Sequence, residues 1–166
     1  MEKTKNVSNY PFGILRILIG WQFLWASIDK IFGLGYATKS EKAIINGGKA
    51  TYGFLYMGQE GKPLAWLFQP MAGHWLTEFL FIFGLFAIGV CLILGIGMRV
   101  AGYSGALMMF LMYLASLPLT NNPFVDDHLI EMFVFIVFAH TKVGHYIGLG
   151  SYWENLDIVK KNPVLV

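Results

Sequence analysis

Asp126, Asp127, His128 and Glu131 crowd one short stretch, NNPFVDDHLIE, between two long apolar runs. Carboxylates beside an imidazole can exchange protons, or they can simply cap a helix. Asn122 can serve as the cap of a helix whose first residue is Pro123, where a missing N–H costs nothing. Asp126 and Asp127 then fall in or just after the first turn, where the helix dipole favours negative charge. That account does not reach Glu131, which stands about two turns in, between Ile130 and Met132. Asp127 and Glu131 are four apart and share a face.

Further ionisable residues interrupt apolar sequence at Arg16, Asp29, Lys30 and Glu78. Such groups cost roughly 2.5–3.5 kcal/mol inside a membrane span and usually face the bundle interior. Arg16, Gly20, Phe23, Ser27 and Lys30 recur at helical spacing and form one stripe. Gln22 and Asp29 form its neighbour. In an antiparallel bundle Asp29, Lys30, Glu78, Asp127 and Glu131 all reach the same end. Five acids, counting Asp126, then face Lys30 and His128. A crowded carboxylate holds its proton more tightly and can exchange it near neutral pH. This suits proton transfer to or from a quinone; an ion-pair network locking the helix ends is the structural alternative. Trp21 and Trp25, four apart, can flank a flat ring beside Gln22, or simply face lipid. His74 and His128 both start helices, too near the aqueous surface for a buried haem. His140 and His145 share no face well and read as interfacial anchors. No metal-binding motif or phosphate loop is present, so neither metal nor haem is expected.

The elements that must position these residues are apolar. The 166 residues are 56% hydrophobic and 13% charged, with mean hydropathy +0.57. A soluble domain carries about a quarter charged residues. The deficit points to the lipid bilayer. Four segments, 12–32, 75–97, 100–119 and 123–147, have the length of membrane spans, about 20 residues. The first lacks an A-x-A cleavage pattern and reads as a retained span. The fold class expected is all-α: one domain over 1–166, an integral membrane four-helix antiparallel bundle. Its long outer loop, 33–74, carries a short interfacial helix in PLAWLFQPMAGHW, an ordinary interface element or a lid over an outer pocket. Trp66, Trp75 and Tyr56 suit an aromatic belt. Lys3, Lys5, Arg99, Lys142, Lys160 and Lys161 flank the spans on the even side. Lys39, Lys42, Lys49 and Lys62 fall in the long loop. The positive-inside rule then places both termini in the cytoplasm, in a multi-pass protein of the cell membrane. Spans two and three meet at GIGMR, with Ala87, Cys91 and Gly95 facing Ala101 and Gly105 in a close hairpin. A single cysteine, Cys91, excludes an internal disulfide and a CxxC redox pair. A net charge of +2 gives a nucleic-acid partner little support.

Several stretches together resemble the DoxX/DoxD membrane family. RILIGWQFLWASIDKIFG is similar to its first helix, INGGKATYGFL and LFQPMAG to its loop, LGIGMRVAGYSGALMMFLMYLA to the hairpin into helix three, and NNPFVDDHLIE to the start of helix four. The order of these motifs is more specific than any one of them. Lys49 and Tyr52 depart from the small or neutral residues expected after the two glycines. The resemblance implies a four-helix membrane protein. It also implies the DoxD-like role in a thiosulfate:quinone oxidoreductase, in which thiosulfate becomes tetrathionate and a membrane quinone is reduced. A small DoxA-like partner is expected on a separate chain, and a homo-oligomer remains open.

Two functions follow as expectations. In the first, the chain is an enzyme subunit. Quinone lies near Trp21, Gln22, Trp25 and Arg16, and Glu131 or Asp127 handles protons, among Asp29, Lys30, Glu78 and His128. The acidic outer mouth would repel thiosulfate, which counts against this reading. In the second, the chain is a non-catalytic anchor or assembly subunit of a respiratory complex, or a small-molecule transporter.

Overall fold

The computed structural model describes residues 9–166, so Lys3 and Lys5 lie outside the described residues. All regular structure among them is helical. Helices α1 (Tyr10–Phe32), α4 (Trp75–Leu94) and α5 (Met98–Ser116) are long and apolar enough to cross a membrane. Their ends fall within a turn of the expected spans. Between α1 and α4, short turns surround α2 (Tyr52–Leu55) and α3 (Ala65–Phe68). α3 lies in the segment expected to hold a short interfacial helix, with Trp66 outside and Phe68 buried.

The last long helix, α6 (Asp127–His140), corrects the expected span of 123–147 at both ends. Its cap is Asp126, whose side chain accepts from the Leu129 N–H at 3.0 Å. Asn122 instead closes a turn before the helix, accepting from the N–H groups of Phe124 and Val125 at 2.9 and 3.0 Å. At the other end the chain turns extended at Thr141, which lets Gly144 press its backbone against Gly95. Two short helices, α7 (Gly150–Glu154) and α8 (Asp157–Lys161), follow.

α6 has only 14 residues. Its length is about 21 Å, short of the hydrocarbon layer of about 30 Å. Gln22 on α1 meets Glu131 on α6. From that level α1 runs about 15 Å further to Phe32, while α6 reaches back only about 6 Å to Asp127. The start of α6 is therefore recessed by about 9 Å below the end of α1. A hydrogen bond of 3.0 Å from the Tyr113 hydroxyl to the Phe124 carbonyl likewise sets that strand of chain below the end of α5.

Close packing joins α1 to α4 and α5 to α6. A Cβ on Gly89 would stand 2.6 Å from the Leu24 nitrogen, and one on Gly20 would stand 2.8 Å from Leu92 Cβ. Gly102 and Gly105 press on Phe135 and Ala139 of α6. The expected close hairpin between α4 and α5 is thus corrected. Gly105 serves α6, Gly95 serves Gly144 and Arg16, and Ala87 and Cys91 face an open groove. Phe23 and Phe135, with centroids 5.0 Å apart and edge to face, close the core between α1 and α6. Outward faces carry exposed Leu18, Phe79, Phe83, Leu107, Phe110 and Phe133. A belt of this size and chemistry suits lipid rather than water.

Candidate functional site

Arg16 was expected to help hold a cofactor. The structure gives it other work. Its fully buried guanidinium donates to the carbonyls of Leu92 and Ile93, and to those of Tyr146 and Ile147 at 3.1 and 3.0 Å. The first pair belongs to the last turn of α4, where unpaired carbonyls and the helix dipole welcome a cation. The second belongs to the chain just after α6. Arg16 therefore ties α1, α4 and the post-α6 segment together at one end of the molecule.

Asp29, Glu78, Asp126 and Asp127 share the opposite end, as their order on antiparallel helices required, with Glu131 nearer the middle, but they do not converge. Asp29, buried, accepts from the Thr38 N–H at 2.7 Å and holds the chain leaving α1. Glu78 accepts from the Ala50 and Thr51 N–H groups at 2.7 and 3.0 Å and from the Thr51 hydroxyl. Thr51 in turn accepts from Gly73. These bonds latch the long loop onto the first turn of α4. Asp126 contacts His128 Nδ1 at 2.7 Å. Asp127 is exposed. Glu131 accepts from the Gln22 amide at 2.8 Å, so those two expected residues do meet, at the α1–α6 seam. Lys30 makes no ion pair or hydrogen bond among the described residues. A single shared pocket of acids with one lysine is therefore corrected to carboxylates with separate partners, Asp29 keeping one buried oxygen without a hydrogen bond. The mechanism is plain: backbone N–H groups of the loop supply neutral donors where the sequence showed only a shortage of cations.

Trp21 and Trp25 lie 5.7 Å apart at their ring centroids, and Trp25 packs edge-on against Tyr36 at 5.2 Å. Trp21 is exposed on the outer face of α1. The pair stands beside Gln22, and neither ring lines the groove between α4 and α5.

A large open groove lies where α4 and α5 diverge. A groove of about 760 Å³ runs between them, walled by Phe83, Ala87, Cys91, Ser104, Leu107 and Met108. At the loop end Phe54, Phe68 and Met71 close it, with Thr51, Thr77 and Lys30 as polar lining. Lys30 is the sole charged residue of the lining. Phe54 also lies against His128, ring centroids 6.4 Å apart, so the Asp126–His128 pair sits behind one wall of the groove. The sequence pointed to Lys30 but not to this groove, because the small residues that line it read equally well as helix packing. Gln59 escaped notice altogether. Fully buried, it donates to the Ala115 carbonyl at 2.6 Å, joined by Lys62 at 3.2 Å, and so fastens the loop to the end of α5. A lone glutamine in a polar loop carries no signal of burial.

At the Arg16 end, Glu154 lies 3.1 Å from Lys142 and 2.8 Å from His145. Burial raises its carboxyl, but the contacts with His145 and Lys142 outweigh that and hold it below the ordinary glutamate value. Arg99 donates to the Pro163 carbonyl at 2.8 Å and so draws the C-terminal segment onto the α4–α5 turn.

Comparison of the chain with protein-family models, with curated proteins and with solved structures finds no match.

Proposed function

We propose that the chain is a four-span membrane protein that binds a membrane quinone in the α4–α5 groove, as a DoxX/DoxD-like subunit of a quinone-linked oxidoreductase. The groove carries this reading. It is long, apolar, open sideways to lipid, and ends at one unpaired ammonium and two hydroxyl-bearing side chains. An isoprenoid or alkyl tail fits its apolar length, and a ring carbonyl fits the donors of Lys30 and Thr77. A bound quinone supplies a two-electron, two-proton acceptor. Lys30 orients its carbonyl, Phe54 and Phe68 exclude water, and the Asp126–His128 pair relays protons from the loop side. The quinone position expected near Trp21, Gln22, Trp25 and Arg16 gives way to this groove.

In the proposed topology α6 is the fourth span, and the Arg16 end faces the cytoplasm with Arg99, Lys142, Lys160 and Lys161 near it. Thiosulfate oxidation to tetrathionate, with a DoxA-like partner, is the electron source that the sequence resemblance supports. Lys30 and the loop lysines are its points of approach.

Cys91 offers a native reporter, since it is the one cysteine and lines the groove. In the purified full chain, a decyl-quinone analogue is expected to slow alkylation of Cys91 by a membrane-permeant maleimide, and Lys30→Gln to weaken that protection. Thiosulfate-dependent reduction of the same analogue, with and without a partner fraction, tests the reaction. Unprotected Cys91 with both ubiquinone and menaquinone analogues sinks the binding site.

A second reading, a proton-coupled transporter, draws on the Gln22–Glu131 pair. This carboxylate stands half-buried at mid-height of α1, where lipid would meet it. Substrate-driven proton uptake into vesicles that Glu131→Gln abolishes is the result this reading requires.

A further inference from the structure

We propose that the outer face of the α1–α6 seam is an interface for a second copy of this chain, built around Gln22 and Glu131. α1 packs closely on α4, and α6 on α5. The seam between α1 and α6 is bridged by Phe23 on Phe135 inside and by the Gln22–Glu131 hydrogen bond outside. Gln22 is exposed there, and Glu131 is half-buried. Along α1, Gln22 stands about 18 Å from Tyr10 and about 15 Å from Phe32. It therefore lies near the middle of a hydrocarbon layer about 30 Å thick.

Hydrogen bonding decides the partner's chemistry. The Gln22 amide carries a pair of N–H donors and a carbonyl, and Glu131 carries a pair of oxygens. One N–H and one oxygen meet each other, and among the described residues the rest have no partner. Lipid tails cannot supply one, and polar groups left bare in hydrocarbon draw helices together. A primary amide both donates and accepts, so it is complementary to itself. Because Gln22 is the more exposed of the two, the amides meet first across an interface. Each can then donate its second N–H to the carbonyl of the other, with each Glu131 behind its own amide.

Depth decides its identity. Copies inserted alike share one orientation in the bilayer. A two-fold axis along the membrane normal therefore sets Gln22 opposite Gln22 at the same depth, which no unrelated span guarantees. The flanking surface is exposed and apolar. Leu18 lies one turn before Gln22 on the same stripe, Leu15 lies a further turn before, and Trp21 is adjacent. No residue of α6 lines the α4–α5 groove, so pairing through this seam leaves that groove open to lipid. The inference rests on the membrane placement of α1 and α6 and not on the quinone.

Full chains with a donor or an acceptor dye on an N-terminal peptide tag are reconstituted in phosphatidylcholine vesicles and diluted with lipid. Energy transfer is expected to fall along a monomer–dimer curve. Gln22→Leu is expected to weaken dimerisation about tenfold, through loss of the reciprocal amide bonds. Glu131→Gln keeps an acceptor in place and is expected to dimerise as the wild type does, even where it abolishes proton uptake, so pairing and transport are told apart. A second arm leaves Gln22 intact. In a Cys91→Ala background, Leu18→Cys is expected to cross-link two chains on mild oxidation, and Phe79→Cys, exposed on α4, is not. A wild type that stays monomeric at high protein density leaves lipid or a different chain on this face and overturns the interface. Gln22→Leu that dimerises like the wild type overturns it too, as does cross-linking through Phe79→Cys but not Leu18→Cys.

Discussion

Replacing Arg16 should loosen two segments at once. Its guanidinium reaches carbonyls of both α4 and the post-α6 chain, and it forms no ion pair among the described residues. Glutamine cannot span them, and the carbonyls left behind would be buried without donors. We expect Arg16→Gln to cost about 2–5 kcal/mol. Arg16→Lys should recover little of it, because one ammonium replaces a fork that serves four acceptors. Thermal unfolding in detergent measures both, and a wild-type melting temperature for Arg16→Lys would show that charge alone suffices. The sequence exposed the inward stripe that contains Arg16, Gly20, Phe23 and Ser27, since periodicity reports direction. It could not reveal the partners, because main-chain carbonyls have no residue type to read. The same blindness explains Asp29 and Glu78. Their acids look like candidates for chemistry, while their actual partners are N–H groups of the loop.

At the scale of elements, the two tight helix pairs and the open α4–α5 interface make opposite demands on neighbouring positions of one helix. Gly89 faces the backbone of α1, whereas Ala87 faces the groove. Gly89→Leu should destabilise by about 1–3 kcal/mol or more, since α1 must be displaced. Ala87→Leu should leave the melting temperature nearly unchanged and fill the groove instead. Equal loss in both variants would mean that the groove closes in solution. Three long helices were legible from the length of their apolar runs. α6 was legible as a helix but not in its bounds, and the reason lies in particular residues. Asn122 followed by Pro123 is a strong helix-start signal, but that asparagine spends its side chain on a tight turn, and Asp126 takes the capping role. The far boundary was missed because the apolar character continues past His140 while the backbone already turns to meet Gly95.

For the molecule as a whole, the C-terminal segment is fastened to the helices largely by polar contacts of Arg99, Lys142, His145 and Glu154. The Glu154 carboxyl is held below its ordinary value. A lowered value in the folded state adds stability that is complete above the unfolded value, near 4.5, and is lost as pH falls through the folded one. Between pH 6 and pH 3, amide exchange over residues 142–161 should therefore rise more in the wild type than in Glu154→Gln, which has nothing to titrate. Parallel rises in both would place the acid sensitivity elsewhere. The shortness of α6 adds an electrical consequence at this same scale. With the end of α1 taken as the edge of the hydrocarbon, a proton reaching Asp126 and His128 has already travelled about 9 Å of some 30 Å inward. If the voltage falls evenly with depth, such a charge feels about 0.7 kcal/mol for every 100 mV. In the proposed topology, protonation at the head of α6 would thereby respond to the energised state of the membrane, before any proton has crossed it.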